Sequence, residues 1–154
     1  MLRKALIALV VIAGLMATTI MVSASIWPTI NRVEAGKTIE YPDILPKTYQ
    51  LGYDRVYDET LAAAKEQPNW MVTMEDRAAG KVQATATMDL TGWTQQIDIT
   101  VKKRGRFVSR VYISSEGSDA PGDLGQNARN ITTYYEALDR RLGAASVDDK
   151  GEDK

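Results

Sequence analysis

The residues best spaced for chemistry lie around position 123. Asp123, Gly125 and Asn127 fall within one turn at the start of an apolar-periodic stretch, and Arg129 follows closely. Free N–H groups and the helix dipole make such a helix start attractive to an anion. The plainer reading is a cap. A carboxylate at position 123 already occupies the positive end, and Gln126 three residues on completes a capping-box pattern. Lys102, Lys103, Arg104 and Arg106 form a second set, at a hairpin tip. Each such cation is worth about 1 kcal/mol near an anionic membrane, whereas in water they make an ordinary solvated turn. Arg110 and Tyr112 share the polar face of a strand, with Asp98 expected opposite Arg110. Trp93 follows the turn residue Gly92 and is the aromatic best placed for a contact. These six, Trp93, Arg110, Tyr112, Asp123, Asn127 and Arg129, are the candidate interaction residues.

Much chemistry is closed to this chain. It has no His and no Cys. That removes Ser-His and Cys-His dyads, thiolate nucleophiles, disulfides and zinc-thiolate sites. No phosphate loop, HExxH or GxSxG is present, and no carboxylate pair is spaced for acid–base work. No cofactor and no metal site is expected. A net charge of -1 gives no general argument for nucleic acid.

The elements that must position these residues follow from periodicity. Lys47 to Leu51 reads as a short strand. Tyr53, Val56, Tyr57, Leu61 and Ala64 recur at helical spacing, and Pro68 stops that helix at Gln67. Period-two alternation marks Trp70 to Met74, Val82 to Met88, Ile97 to Val101 and Phe107 to Ile113 as strands. A three-residue loop Lys103-Arg104-Gly105 would set Val101 opposite Phe107 and Asp98 opposite Arg110. The turn Arg77 to Gly80 is expected to keep Met74 and Val82 on one face. A last helix starts near Asp123, carries the stripe Leu124, Ala128, Ile131, Tyr135, Leu138, Leu142, and ends at Gly143. The order β-α-β-β-β-β-α predicts an α+β, two-layer domain, an antiparallel sheet with two helices on one face.

Ahead of it, Arg3 and Lys4 precede an uncharged, mostly apolar run from Ala5 to Ile26, closed by Trp27-Pro28. As a helix that run extends about 33 Å, enough to cross a hydrocarbon core. One N-terminal transmembrane helix is therefore expected over 1–27, with the bilayer as partner of residues 5–26. Cleavage near Val22-Ser23-Ala24, giving a secreted protein, is the alternative. The N-terminus is expected inside and the domain on the periplasmic or extracytoplasmic side. Residues 28–46 read as an extended linker, 47–143 as the domain and 144–154 as a charged, disordered tail.

Asp123-Leu124-Gly125-Gln126-Asn127 carries a family resemblance. With Tyr41-Pro42-Asp43-Ile44, Asn69-Trp70 and Ala84-Thr85-Ala86-Thr87, it resembles the DUF1499 family, over roughly Tyr41 to Leu142. The resemblance implies a small secreted or membrane-anchored domain without a defined biochemical role. It also implies that relatives carry charge where this chain has Gln83, Gln95-Gln96 and Asn130, and an arginine near Ser115-Glu116-Gly117. If those charges perform chemistry in relatives, this copy has lost it.

The leading expectation is a non-enzymatic, membrane-tethered domain that binds another envelope protein. A binder of a hydrophobic ligand or lipid is the second. An enzyme using Asp, Arg or Tyr groups near the Asp123 loop is the third.

Overall fold

The computed structural model describes residues 2–26, 30–88, 92–117, 123, 125–143 and 147–148. The elements run α1 (Leu2–Ile26), β1 (Arg32–Glu34), β2 (Lys47–Tyr49), α2 (Tyr53–Glu66), β3 (Trp70–Asp76), β4 (Lys81–Thr87), β5 (Thr94–Gly105), β6 (Val108–Gly117), α3 (Gln126–Leu142) and β7 (Val147–Asp148). All described strand pairs are antiparallel, in the order β3-β4-β5-β6-β2-β7, with β1 on β6. β1 and β2 share one edge of β6. β2 lies against Ser109 to Val111, and β1 against Ser114 to Glu116.

Alternation decides the core. Val82, Ala84 and Ala86 of β4, Ile97, Ile99 and Val101 of β5, and Val111 and Ile113 of β6 are buried on one face. α2 and α3 pack side by side over that face. α2 contributes Val56, Tyr57, Ala63 and Ala64, and α3 contributes Ile131, Tyr134, Tyr135 and Leu138. Burial of such side chains is worth about 1.5–3 kcal/mol each, which makes this layer the main source of stability. A polar clamp ties β2 to α3. Tyr49 Oη donates to Asp139 Oδ1 at 2.7 Å, and Lys47 Nζ to Asp139 Oδ2 at 2.6 Å.

Four expectations are corrected. Of the segment expected as an extended linker, residues 30–46 join the domain. Val33 and Ala35 are 0% and 3% exposed, and β1 completes the β6 edge left uncovered beyond β2. The β5–β6 hairpin closes on Arg106-Phe107, with Gly105 opposite Val108 and a bulge at Arg104, so Val101 faces Val111. Turning later lengthens the ladder and sets Ile113 opposite Ile99. The shift is by an even number of residues, so the inward and outward sets from Val108 on are unchanged, while Phe107, expected inward opposite Val101, lies exposed in the turn. A bulge between Val72 and Met74 sets Met74 opposite Gln83 instead of on the Val82 face. Such a bulge also blunts an edge strand against pairing with another chain. Within the tail, Val147–Asp148 pairs with Lys47 and Thr48.

Side chains of α1 are described over residues 7–19, and all are exposed. Among the described residues no helix is long and apolar enough to cross a membrane.

Candidate functional site

The start of α3 is built as a cap and as a polar knot. Gly125 takes the left-handed conformation, φ 77°, which turns the chain into the helix. Asp123 is 3% exposed. Its Oδ1 accepts the N–H of Gly125 at 2.9 Å and its Oδ2 the N–H of Asn127 at 2.6 Å. The cap expected from sequence is present in a modified form. Gln126 does not close a capping box but donates to Asn130 Oδ1 at 2.8 Å, because Asp123 lies two residues before the N-cap and not on it.

Behind this cap lies a buried network. Asn127, fully buried, accepts the Ser115 hydroxyl at 2.6 Å and donates to the Asn31 carbonyl at 2.9 Å. Asn130 donates to Ser115 Oγ at 3.2 Å. The knot joins the first described stretch after α1, the end of β6 and the first turns of α3. Arg129 points outward, its Nε and Nη2 donating to Gln126 Oε1 at 3.3 and 2.9 Å. Burial and then Asp123 push the Tyr41 phenol above its ordinary value, while Arg129 opposes.

Beside the knot is a half-open cleft of about 390 Å³, between the end of α2, the ends of β3 to β5 and α3. One wall is apolar, from Pro68, Trp70, Ala86 and Met88. The rest carries the carboxamides Gln67, Asn69, Gln95, Gln126 and Asn130, the hydroxyls of Thr87 and Thr133, and Arg129. Two local features shape it. Asn69 has φ 63°, a left-handed turn that Asn tolerates, and it swings the chain from α2 into β3. Trp70 is held by stacking on Tyr134, 5.9 Å between centroids. Gln95 faces inward, 2% exposed, and its Oε1 has no hydrogen-bond partner. A buried acceptor left unpaired costs about 1–3 kcal/mol. Among the described residues no group of three or more Asp or Glu could hold a metal ion.

A model of a family described as a protein of unknown function, DUF1499, matches residues 23–138. The chain belongs to that family. No curated protein matches it. Several solved structures are similar. Protein CV1439 from Chromobacterium violaceum is 15% identical, covers 73% of this chain and 94% of its own, and has a TM-score of 0.40. TTHA0849 from Thermus thermophilus is 10% identical, covers 72% and 96%, and has a TM-score of 0.35. Neither bears on function. Two positions at which this DUF1499 chain lacks the charge that the resemblance implies, 95 and 130, line the cleft.

The other candidate residues lie elsewhere. Trp93 is half-buried beside the cleft; its carbonyl accepts the N–H of Met88 at 2.9 Å, but it does not line the cavity. Asp98 does not pair with Arg110. The register sets it opposite Ser114, and it accepts Gln83 Nε2 at 2.5 Å. Arg110 lies opposite Lys102 and Thr48. Around Tyr112 the two outer-face candidates merge with the hairpin cations. Arg104 Nη2 donates to Tyr112 Oη at 2.6 Å, Lys102 Nζ is 4.8 Å from the ring centroid and Arg110 Cζ 5.2 Å. Lys103 pairs with Ser109 on the alternate face, Arg106 Cζ lies 5.2 Å from the Phe107 ring centroid, and Phe107 at the tip is 64% exposed. Sequence reading missed Gln95, although its place in the inward series Gln95, Ile97, Ile99 is a signal. An amide at a core position needs a partner.

Proposed function

We propose that the chain is a membrane-tethered, extracytoplasmic, non-enzymatic binding domain whose working site is the cleft beside α3, held close to the membrane. The observation that carries this reading is the cleft's composition. Five carboxamides and one guanidinium converge on an open cavity that also has an aromatic wall. Such a cavity takes a polar group firmly and an acyl chain poorly. The tether rests on the apolar run 5–26 and on the exposed apolar side chains of α1. A helix hydrophobic all round needs a core or a bilayer to cover it. The accessory role toward an envelope component follows from that location. An enzyme built on Asp123 is disfavoured, because both of its carboxylate oxygens are committed to backbone N–H groups.

A photoreactive residue at Thr133, on the cleft wall, tests this in native membranes. The expected result is one dominant adduct, lost in an Arg129→Glu variant and not formed from Thr85 on the opposite sheet face. Equal labelling from both positions, or labelling indifferent to Arg129, contradicts the reading.

A further inference from the structure

The chain leaves for α1 at one end of β6, and the β5–β6 turn lies at the other. The N–H of Gly117 donates to the Asn31 carbonyl at 2.8 Å, and Asn31 Nδ2 donates back to the Gly117 carbonyl at 2.8 Å. Asn31 is thereby fixed to the last residue of β6. Gln95, in the cleft lining, pairs with the same Gly117, so the cleft shares this end. Between Ile26 and Asn31 a chain extends at most about 17 Å. The turn Arg106-Phe107 is about 30 Å away at strand rise.

That far end is a braced, charged knob. β4 pairs with β5 only as far as Thr100, and β2 meets β6 only from Ser109, so the hairpin from Lys102 to Val108 extends past both neighbours. Its base is held, because the fully buried Ser109 donates its hydroxyl to the Leu51 carbonyl at 3.1 Å. From Ile99 to Ser115 the sequence carries five cations and no carboxylate. Lys102 lies on the outer face beside the Tyr112 ring, Lys103 on the other face opposite Ser109, and Arg106 over the Phe107 ring. All three cations are exposed, and among the described residues no ion pair includes any of them. Phe107 stands among them with most of its ring in solvent.

We propose that this tip docks into an acidic protein partner. Phe107 enters an apolar pocket, and Lys102, Lys103 and Arg106 meet carboxylates around its rim. An aromatic anchor braced by arginine is the composition of interface hot spots. Opposite charge around it steers encounter and rejects wrong partners. A protein suits the tip better than the bilayer does, because the tip is remote from Asn31, where the tether begins. The surface is separate from the cleft, and the two can stand or fall independently.

The test places p-benzoylphenylalanine at Phe107 in the full chain and irradiates native membranes. The expected result is one dominant protein adduct whose crosslinked peptide, read by mass spectrometry, is rich in Asp and Glu. Combining Lys103→Glu with Arg106→Glu should lower its yield about tenfold, with the urea midpoint unchanged. Raising salt to about 1 M, where the screening length falls to about 3 Å, should lower it without any substitution. An adduct to lipid would overturn the proposal in favour of the bilayer. An adduct to residues 149–154 of the same chain would overturn it in favour of the chain's own tail. No adduct, or a yield indifferent to charge reversal and to salt, would overturn it outright. None of these outcomes alters the labelling expected from Thr133, which reads the cleft alone.

Discussion

Asn127→Ala is expected to destabilise the domain by about 3–5 kcal/mol, a large share of the 5–15 typical of a domain. The side chain is fully buried and holds three segments together. Truncation leaves the buried Ser115 hydroxyl without its acceptor, at about 1–3 kcal/mol, leaves the Asn31 carbonyl with the Gly117 N–H alone, and adds a small cavity. Ser115 Oγ already accepts from Asn130 and needs an acceptor for its own proton. Urea unfolding measures the loss. Arg129→Gln, on the exposed side of the same turn, should stay within about 0.5 kcal/mol of wild type. A loss below about 1 kcal/mol for Asn127→Ala would mean that the α3 start is held by apolar packing instead of by the network.

Stability is also expected to fall steeply above pH 10, through two tyrosines. Burial, then the hydrogen bond to Asp139, pushes the Tyr49 phenol far above its ordinary value of 10.0. Burial does the same to Tyr134. The neighbouring Thr60 hydroxyl offsets this only in part, since neither oxygen reaches full hydrogen-bond geometry. Below pH 10 both phenols are protonated in the folded and unfolded chains, and the stabilisation is present in full. Above it the unfolded chain releases the two protons while the folded chain keeps them. Stability then falls as pH rises, by about 1.4 kcal/mol per unit for each tyrosine. From pH 10 to 11.5 the pair removes about 3 kcal/mol. Tyr41, Tyr53 and Tyr57 shift in the same direction. Denaturant unfolding at pH 9, 10, 11 and 11.5 reads the slope, and Tyr49→Phe and Tyr134→Phe should each remove about half of it. A flat profile in this range would refute the assignment.

Local pattern in the chain announces much of this architecture. Alternation in β4, β5 and β6 and the stripe of α3 place the inward side chains correctly, because a half-buried strand must alternate. Turn position is less legible. Both Lys103-Arg104-Gly105 and Arg106-Phe107 can close the hairpin, and only the competition of whole ladders selects the later one. β1 is hidden because three residues, Arg32–Glu34, give no period to detect. Their strand character comes from the vacant edge of β6. The cleft is legible only in fragments. Asp123, Asn127 and Arg129 are visible as a helix start. Gln95 comes from a strand about 30 residues earlier, and Asn69 from the turn after α2, so the fold alone brings them together. The outer-face pairing of Asp98 with Arg110 fails because it inherits the hairpin register.

The absence of cysteine makes the central claim directly accessible, since any introduced thiol is unique. Spin labels at Thr133→Cys beside the cleft and at Lys103→Cys near the hairpin tip, in the full chain reconstituted into bilayers, report distance from the membrane by relaxation. The account predicts that the Thr133 label lies at headgroup depth or just above it. The Lys103 label should lie farther out, by up to the length of β6, about 30 Å. A Lys103 label at the membrane with Thr133 far from it would contradict the account.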